Sequence, residues 1–143
     1  MIVITKTKWS MRNFYQPMKW VIILFILDAE EIKNYYYNLG LQNHEIVALF
    51  GSRTLGFLKN KNFDKEMRWS RNPYVFDNNY YQELLDNKSP YIKTPSDIAL
   101  ISDNDFSKWV ETYAGDQNLF FDNYSSSYRK MSEIGYTNLQ YEI

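Results

Sequence analysis

Apolar residues recur at helical spacing through most of this chain, and polar capping residues punctuate them. In Asn43–Ser52 the positions Ile46, Leu49 and Phe50 fall on one side of a helix. Ala29–Asn38 reads as the helix before it, stopped by Gly40. Asp77 is placed to cap a helix over Asn78–Leu85, and Asp103 to cap one over Asp105–Ala114. Thr94-Pro95 combines a capping threonine with proline at the first helical position, so a helix starts there too. Asp116 opens a long amphipathic stretch with Phe120, Tyr124, Tyr128, Met131 and Ile134 along one face, and Gly135 closes it. The pattern predicts an all-α chain.

Between these helices the polar positions cluster. Lys59–Met67 is charged throughout and reads as an irregular loop or a small hairpin. Asn72-Pro73 marks a turn, because the residue before proline avoids the helical region. No repeat, linker or low-complexity tract divides the sequence, and its 143 residues suit at most one domain.

Residues 1–27 have a different texture. They carry Lys6, Lys8, Arg12 and Lys19 without a single acid, then the apolar run Trp20–Leu27. Spanning a bilayer takes about 20 apolar residues, so this run predicts no transmembrane span. The basic start and apolar run faintly resemble a targeting signal, but no small-residue cleavage site follows before Asp28. A misplaced start, a docking segment and a targeting segment stay open as readings.

Composition narrows the function classes. The net charge is −1 with basic residues scattered along the chain, which argues against nucleic acid as a partner. With no cysteine there is neither a disulfide framework nor a thiolate ligand. That composition is compatible with a reducing compartment, and the expectation is a soluble, intracellular protein. The 13 tyrosines and 9 phenylalanines supply much of the apolar area a core needs.

Four stretches carry a family resemblance. Ile46–Gly56 reads IVALFGSRTLG, and Trp69–Tyr81 reads WSRNPYVFDNNYY. Thr94–Asp103 reads TPSDIALISD, and Leu119–Gly135 reads LFFDNYSSSYRKMSEIG. Together with DAEEIKNYYYNLGL at Asp28–Leu41, they resemble, in order, the proximal half of the class I haem peroxidases, the ascorbate and cytochrome c peroxidase family. The resemblance implies a partial haem-peroxidase domain over residues 28–143, with residues 1–27 as an unmatched segment. It implies a proximal helical half-domain, haem b as the family cofactor, and peroxide-dependent oxidation of a small donor as the family chemistry.

The same resemblance assigns candidate residues. The family's first motif reads roughly ALSGGHTLG, and its histidine ligates the haem iron; Arg53 stands there in this chain. A ligand must offer a lone pair, and a guanidinium, always protonated, has none. Asp97 matches the buried aspartate that accepts from that histidine, and Trp69 the tryptophan bonded to the same carboxylate. An Arg53–Asp97 ion pair in place of a catalytic His–Asp pair is therefore expected. Thr94-x-x-Asp97 is also a capping-box pattern, which alone explains an acid there.

Leu55, Gly56 and Lys59 fall on the haem face, Lys59 where the family often has a propionate-binding histidine. Thr54, Ser70, Asn72, Val75 and Asp77 match the family's loop for a monovalent cation, K⁺ or Na⁺. Their oxygens suit such an ion, while a turn at Asn72 and a cap at Asp77 explain them equally well. Asn62 and Phe63 stand where ascorbate peroxidases keep an arginine used for ascorbate. His44, the one histidine, reads as a surface residue rather than a displaced ligand.

The distal R-x-x-W/F-H motif, whose histidine and arginine cleave the peroxide bond in the family, does not occur in this sequence. The expectation is a degenerate or partial peroxidase domain with doubtful turnover. The alternatives are a non-catalytic scaffold or complex subunit and a product without function. A cleft wall including Leu49, Leu55, Phe57 and Trp69 is expected to lie open, and so to call for a protein partner.

Overall fold

The computed structural model of the chain describes residues 27–59 and 66–135. Among them, six α-helices and one two-stranded hairpin are formed. The helices are α1 (Ala29–Tyr37), α2 (Asn43–Phe50), α3 (Asn79–Leu85), α4 (Pro95–Ser102), α5 (Asn104–Gly115) and α6 (Gln117–Glu133). The chain is all-α in class. The apolar run before Leu27, together with Asn62 and Phe63, lies outside the described residues.

Local chemistry sets the helix ends. The Asp28 carboxylate accepts from the Glu31 N–H at 2.9 Å, and the Glu31 carboxylate accepts from Asp28 N–H at 3.1 Å, a complete capping box for α1. After α1, Gly40 takes φ +82°, where a side chain would be strained. The Asp103 carboxylate accepts from the N–H groups of Asp105 and Phe106, and that of Asp116 from Leu119 N–H. Each such cap is worth about 1 kcal/mol.

Strands β1 (Phe57–Lys59) and β2 (Glu66–Arg68) pair antiparallel, with Phe57 opposite Arg68 and Lys59 opposite Glu66. Of the two readings of the charged stretch, the pairing of its ends favours the hairpin; residues 60–65 lie outside the described residues. Beyond it, the Asn72 side chain accepts from Tyr74 N–H at 3.1 Å and its carbonyl from Val75 N–H at 3.3 Å, the expected turn at Asn-Pro.

α2 is the centre of the fold. It packs against both α5 and α6, while α3 and α4 lean on α5, and α1 on α4. Every residue from Glu45 to Phe50 is buried as a result. Burying Ile46, Val47 or Leu49 stabilises the fold by about 1.5–3 kcal/mol each. Glu45 is tolerated there because its carboxylate accepts from Lys130 at 2.8 Å and from Gln42 N–H at 2.7 Å. Tyr81, Tyr113 and Phe120 close the core above it, with ring centroids 5.1–5.9 Å apart.

Several expectations are corrected. α2 stops at Phe50, and Gly51–Thr54 tightens into a 3-10 turn rather than continuing the helix. His44 is half-buried, not a surface residue: its ring packs 5.3 Å from that of Trp109, because α2 is covered by α5 on that side. Leu49 and Trp69 are buried at 8% and 5% exposure, so of the expected open wall only Leu55 (44%) stands well out and Phe57 partly. On α6 the predicted face fades toward its end. Phe120 is fully buried and Met131 packs against the core, but Tyr128 and Ile134 are exposed; beside Tyr128 the buried position is Ser127.

Candidate functional site

The site grows from a close approach. Gly51 ends α2 directly beneath the Phe120 ring and the Tyr81 hydroxyl, and a Cβ there would collide with both. Only glycine lets α6 and α3 come this near. The Tyr81 hydroxyl uses the space to donate to the Val47 carbonyl at 2.8 Å and that of Ala48 at 3.2 Å. The 3-10 turn that follows turns Arg53 toward the first turn of α4.

There Arg53 meets Asp97. The guanidinium and the carboxylate form an ion pair, with Asp97 fully buried and Arg53 nearly so. Nη1 of Arg53 also donates to Thr94 Oγ1 at 3.3 Å, and Nη2 to Ser96 Oγ at 3.1 Å. The guanidinium carbon lies 4.6 Å from the centroid of the Phe50 ring and 5.8 Å from that of Trp69, within cation–π range.

Asp97 gathers donors from four parts of the chain. Oδ1 accepts from Arg53 and from the Tyr80 hydroxyl at 2.6 Å. Oδ2 accepts from Trp69 Nε1 at 2.9 Å and from both the N–H and the hydroxyl of Thr94 at 2.7 Å. The cap and the ion pair are therefore not rivals; one carboxylate does both. Desolvating a charge costs several kcal/mol, and this many donors plus a cation offset that cost. Burial, then the Asp97 charge, push the Tyr80 phenol well above its ordinary pKa, which keeps it a donor. Burial also lifts Tyr36, beside this group, to about 12.

Tyr80 and Ser96 were not singled out from the sequence. The only available signal was the run of apolar positions Tyr80, Tyr81 and Leu84 on α3, which marks a buried face but not the carboxylate it meets.

The residues matched to a cation loop are turned toward each other. Thr54 Oγ1 donates to Asp77 Oδ1 at 2.8 Å, and Ser70 Oγ to the Thr54 carbonyl at 2.7 Å. Asp77 also accepts from Asn79, through the N–H at 3.0 Å and the side-chain amide at 2.5 Å. Asp77 thus caps α3 from one residue further out than expected. Asn72 serves the turn, and Val75 is 44% exposed. Among the described residues there is no cluster of three or more His, Cys, Asp and Glu fit to hold a metal.

Leu55 and Gly56 lie exposed at the edge, where Gly56 N–H donates to the Pro73 carbonyl at 2.8 Å. Lys59 is described through its backbone pairing alone. Chemically, the cluster around Asp97 holds protons and charge in fixed places and offers no lone pair from Arg53 to a metal.

The sequence model of the peroxidase family matches residues 26–116. The chain is 39% identical over 110 residues to a probable peroxisomal L-ascorbate peroxidase 3 of Oryza sativa subsp. japonica, covering 76% of this chain and 38% of that protein. It is 43% identical over 101 residues to the cytosolic L-ascorbate peroxidase 1 of Oryza sativa subsp. indica, covering 70% and 40%. With L-ascorbate peroxidase 3 of Arabidopsis thaliana the identity is 37% over 108 residues, covering 75% and 38%. The chain spans about two fifths of the length of these relatives.

Proposed function

From its membership of the peroxidase family, to which this chain belongs, we propose that it is a degenerate proximal half-domain that does not turn over hydrogen peroxide by itself. The observation that carries this reading is the Arg53–Asp97 ion pair. Haem is the family cofactor that the resemblance implies, and the residue at the axial position does not fit it. Arg53 has no lone pair to give, and its Nη atoms are engaged by Asp97, Thr94 and Ser96. A histidine–aspartate pair that would tune a metal has been exchanged for a salt bridge that ties the 3-10 turn to α4.

Nothing favours a monovalent cation: the Thr54 carbonyl and the Asp77 carboxylate, matched to the family's cation loop, already accept hydrogen bonds from Ser70, Thr54 and Asn79.

The test is a haem titration of the full chain beside an Arg53→His variant, following the Soret band. The wild type is expected to stay flat and the variant to gain a high-spin, five-coordinate spectrum. If the wild type binds haem with a ligand-defined spectrum, the reading is wrong. If both stay flat, the part of the relatives that this chain lacks is what a haem pocket requires, and the proposed inactivity stands.

A second reading, a non-catalytic subunit, is favoured by one surface feature. Leu55, Val75 and Tyr74 are exposed at 44%, 44% and 77%, and the Gly56–Pro73 hydrogen bond brings their two segments side by side. A contiguous apolar patch of this kind suits a protein partner. Tight calorimetric binding of this chain to a separately expressed N-terminal portion of an ascorbate peroxidase, lost on Tyr74→Glu, supports it. Absence of binding removes it.

A further inference from the structure

The segment joining α3 to α4, residues 86–94, forms neither helix nor strand. It reads DNKSPYIKT, with Pro95 next, so it places a hydroxyl directly before proline twice, at Ser89-Pro90 and Thr94-Pro95. The fold puts these two hydroxyls in opposite environments.

Thr94 is held. Its Oγ1 donates to Asp97 Oδ2 at 2.7 Å and accepts from Arg53 Nη1 at 3.3 Å, and its N–H goes to the same carboxylate oxygen at 2.7 Å. As the N-cap of α4 its backbone is committed to the helix start. Ser89 is presented instead. It is half-buried, and Asp86, Asn87, Lys88 and Pro90 around it are exposed. Among the described residues its Oγ only accepts a long bond, from Tyr91 N–H at 3.3 Å. The turn that carries it is anchored at its base. Ser89 N–H at 3.1 Å and Lys93 Nζ at 2.8 Å both donate to the Asp86 carbonyl, and Lys88 N–H donates to the Asp86 carboxylate at 2.8 Å. Beyond it, Ile92 N–H donates to the Arg68 carbonyl at 3.1 Å, which ties the segment to β2.

We propose that Ser89 is a phosphorylation site for a proline-directed serine/threonine kinase, and that Lys93 receives the phosphate. Proline keeps the residue before it out of the helical region, so Ser89 can meet a kinase cleft in extended form. The flanking charge is basic: Lys88 and Lys93 stand against Asp86, the one acid between residues 86 and 95. Lys93 and the Ser89 N–H share one acceptor, which sets the ammonium a single carbonyl oxygen away from the Ser89 backbone. In the transfer, Ser89 Oγ bonds to the γ-phosphorus of ATP, the bond to the β–γ bridging oxygen breaks, ADP leaves, and the hydroxyl proton passes to the kinase's base. The product carries about −1.5 to −2 charges and three acceptor oxygens. For Lys93 it is a stronger acceptor than a neutral carbonyl, so the ammonium turns from Asp86 to the phosphate. Because Lys93 directly precedes Thr94, this clamp fixes the segment where it enters α4.

The test incubates the folded full chain with ATP and a proline-directed kinase, beside a peptide of residues 86–99, and locates phosphate by tandem mass spectrometry. In the folded chain the expected result is phosphate on Ser89, roughly tenfold more than on Thr94, the least that hydrogen bonds to a buried charge impose. Both residues should be modified in the peptide, where nothing shields Thr94. Ser89→Ala should remove nearly all incorporation between residues 86 and 99 of the chain. No phosphate on Ser89 in the folded chain overturns the proposal, whatever the peptide does. Thr94 modified as readily as Ser89 in the folded chain also overturns it, because the fold would then select neither. The part assigned to Lys93 is read by phosphorus NMR of the modified chain. Its phosphoserine should titrate roughly half a pH unit lower than in a Lys93→Met variant. Equal midpoints in the two chains overturn the clamp.

Discussion

Tyr80 donates its hydroxyl proton, at 2.6 Å, to the same oxygen of Asp97 that accepts from Arg53. The tyrosine comes from α3, the aspartate from the first turn of α4, and both are fully buried. Removing the hydroxyl with Tyr80→Phe leaves the ring in place and strips one donor from a buried charge. The expected cost is about 1.5–3 kcal/mol in urea unfolding, the range for hydrogen bonds to charged groups. A cost near zero would mean that the remaining donors suffice for Asp97.

Arg53→Met tests the ion pair itself. It leaves Asp97 buried without its cation, and the expected destabilisation is about 3–5 kcal/mol. The paired variant Arg53→Met with Asp97→Leu is expected to lose less than the sum of the two single changes. Strict additivity in that cycle would show that the two residues are not coupled.

Gly51→Ala should be among the most damaging single-methyl changes in the chain. The added Cβ meets the Phe120 ring and the Tyr81 hydroxyl, two fully buried side chains. Overpacking of this kind costs about 1–3 kcal/mol. Gly115→Ala, where nothing lies within 4 Å, is the control and should leave the melting temperature nearly unchanged.

Acid should loosen the packing of α6 on α2 and of α1 on α5. Burial alone would raise the Glu45 and Asp103 carboxyls, but hydrogen bonds from Lys130 and Lys33 outweigh it, and both sit below their ordinary values. A carboxyl depressed in the folded state adds stability that is complete above its unfolded pKa and is lost as pH falls through the folded one. The midpoint of unfolding should therefore drop below about pH 4.5, the ordinary glutamate value. Lys130→Met should flatten that drop. An unaltered pH profile in this variant would remove the Lys130 pair as its cause.

At high pH the tyrosines act with the opposite sign. Burial raises Tyr36 and Tyr113 to about 12, and Tyr80 and Tyr81 well above their ordinary value of 10. A raised phenol contributes stability that is full below pH 10 and lost as pH climbs through the folded pKa. Absorbance titration at the phenolate band should show the buried four ionising late, together with loss of helical signal. Ionisation of all tyrosines in one step near pH 10 would contradict the packing described for α2, α3 and α5.

The helices were readable because their ends are written within four residues. Thr94 with Asp97, and Asp103 and Asp116 before their helices, are caps made by near neighbours, and each is present in the folded chain; the box of Asp28 with Glu31 is of the same kind but was not singled out. The close approach at Gly51 was not readable, because Phe120 and Tyr81 reach it from distant parts of the chain. His44 illustrates the same limit. Its place on α2 was evident, but the cover supplied by Trp109 on α5 was not.

By itself, the sequence determined the all-α class, the family motifs and their order, and the fact that residue 53 cannot give a lone pair; it left a loop or a hairpin open at Lys59–Met67. These follow from local backbone preferences and from the chemistry of single side chains. Tertiary structure alone decided that Asp97 collects Arg53, Trp69, Tyr80 and Thr94 at once, and that Leu49 and Trp69 are covered while Leu55 is not. Those outcomes depend on how α3 and α4 both settle on α5, and on how α2 is sandwiched between α5 and α6. Such contacts join residues tens of positions apart, and only the packed core brings them into reach.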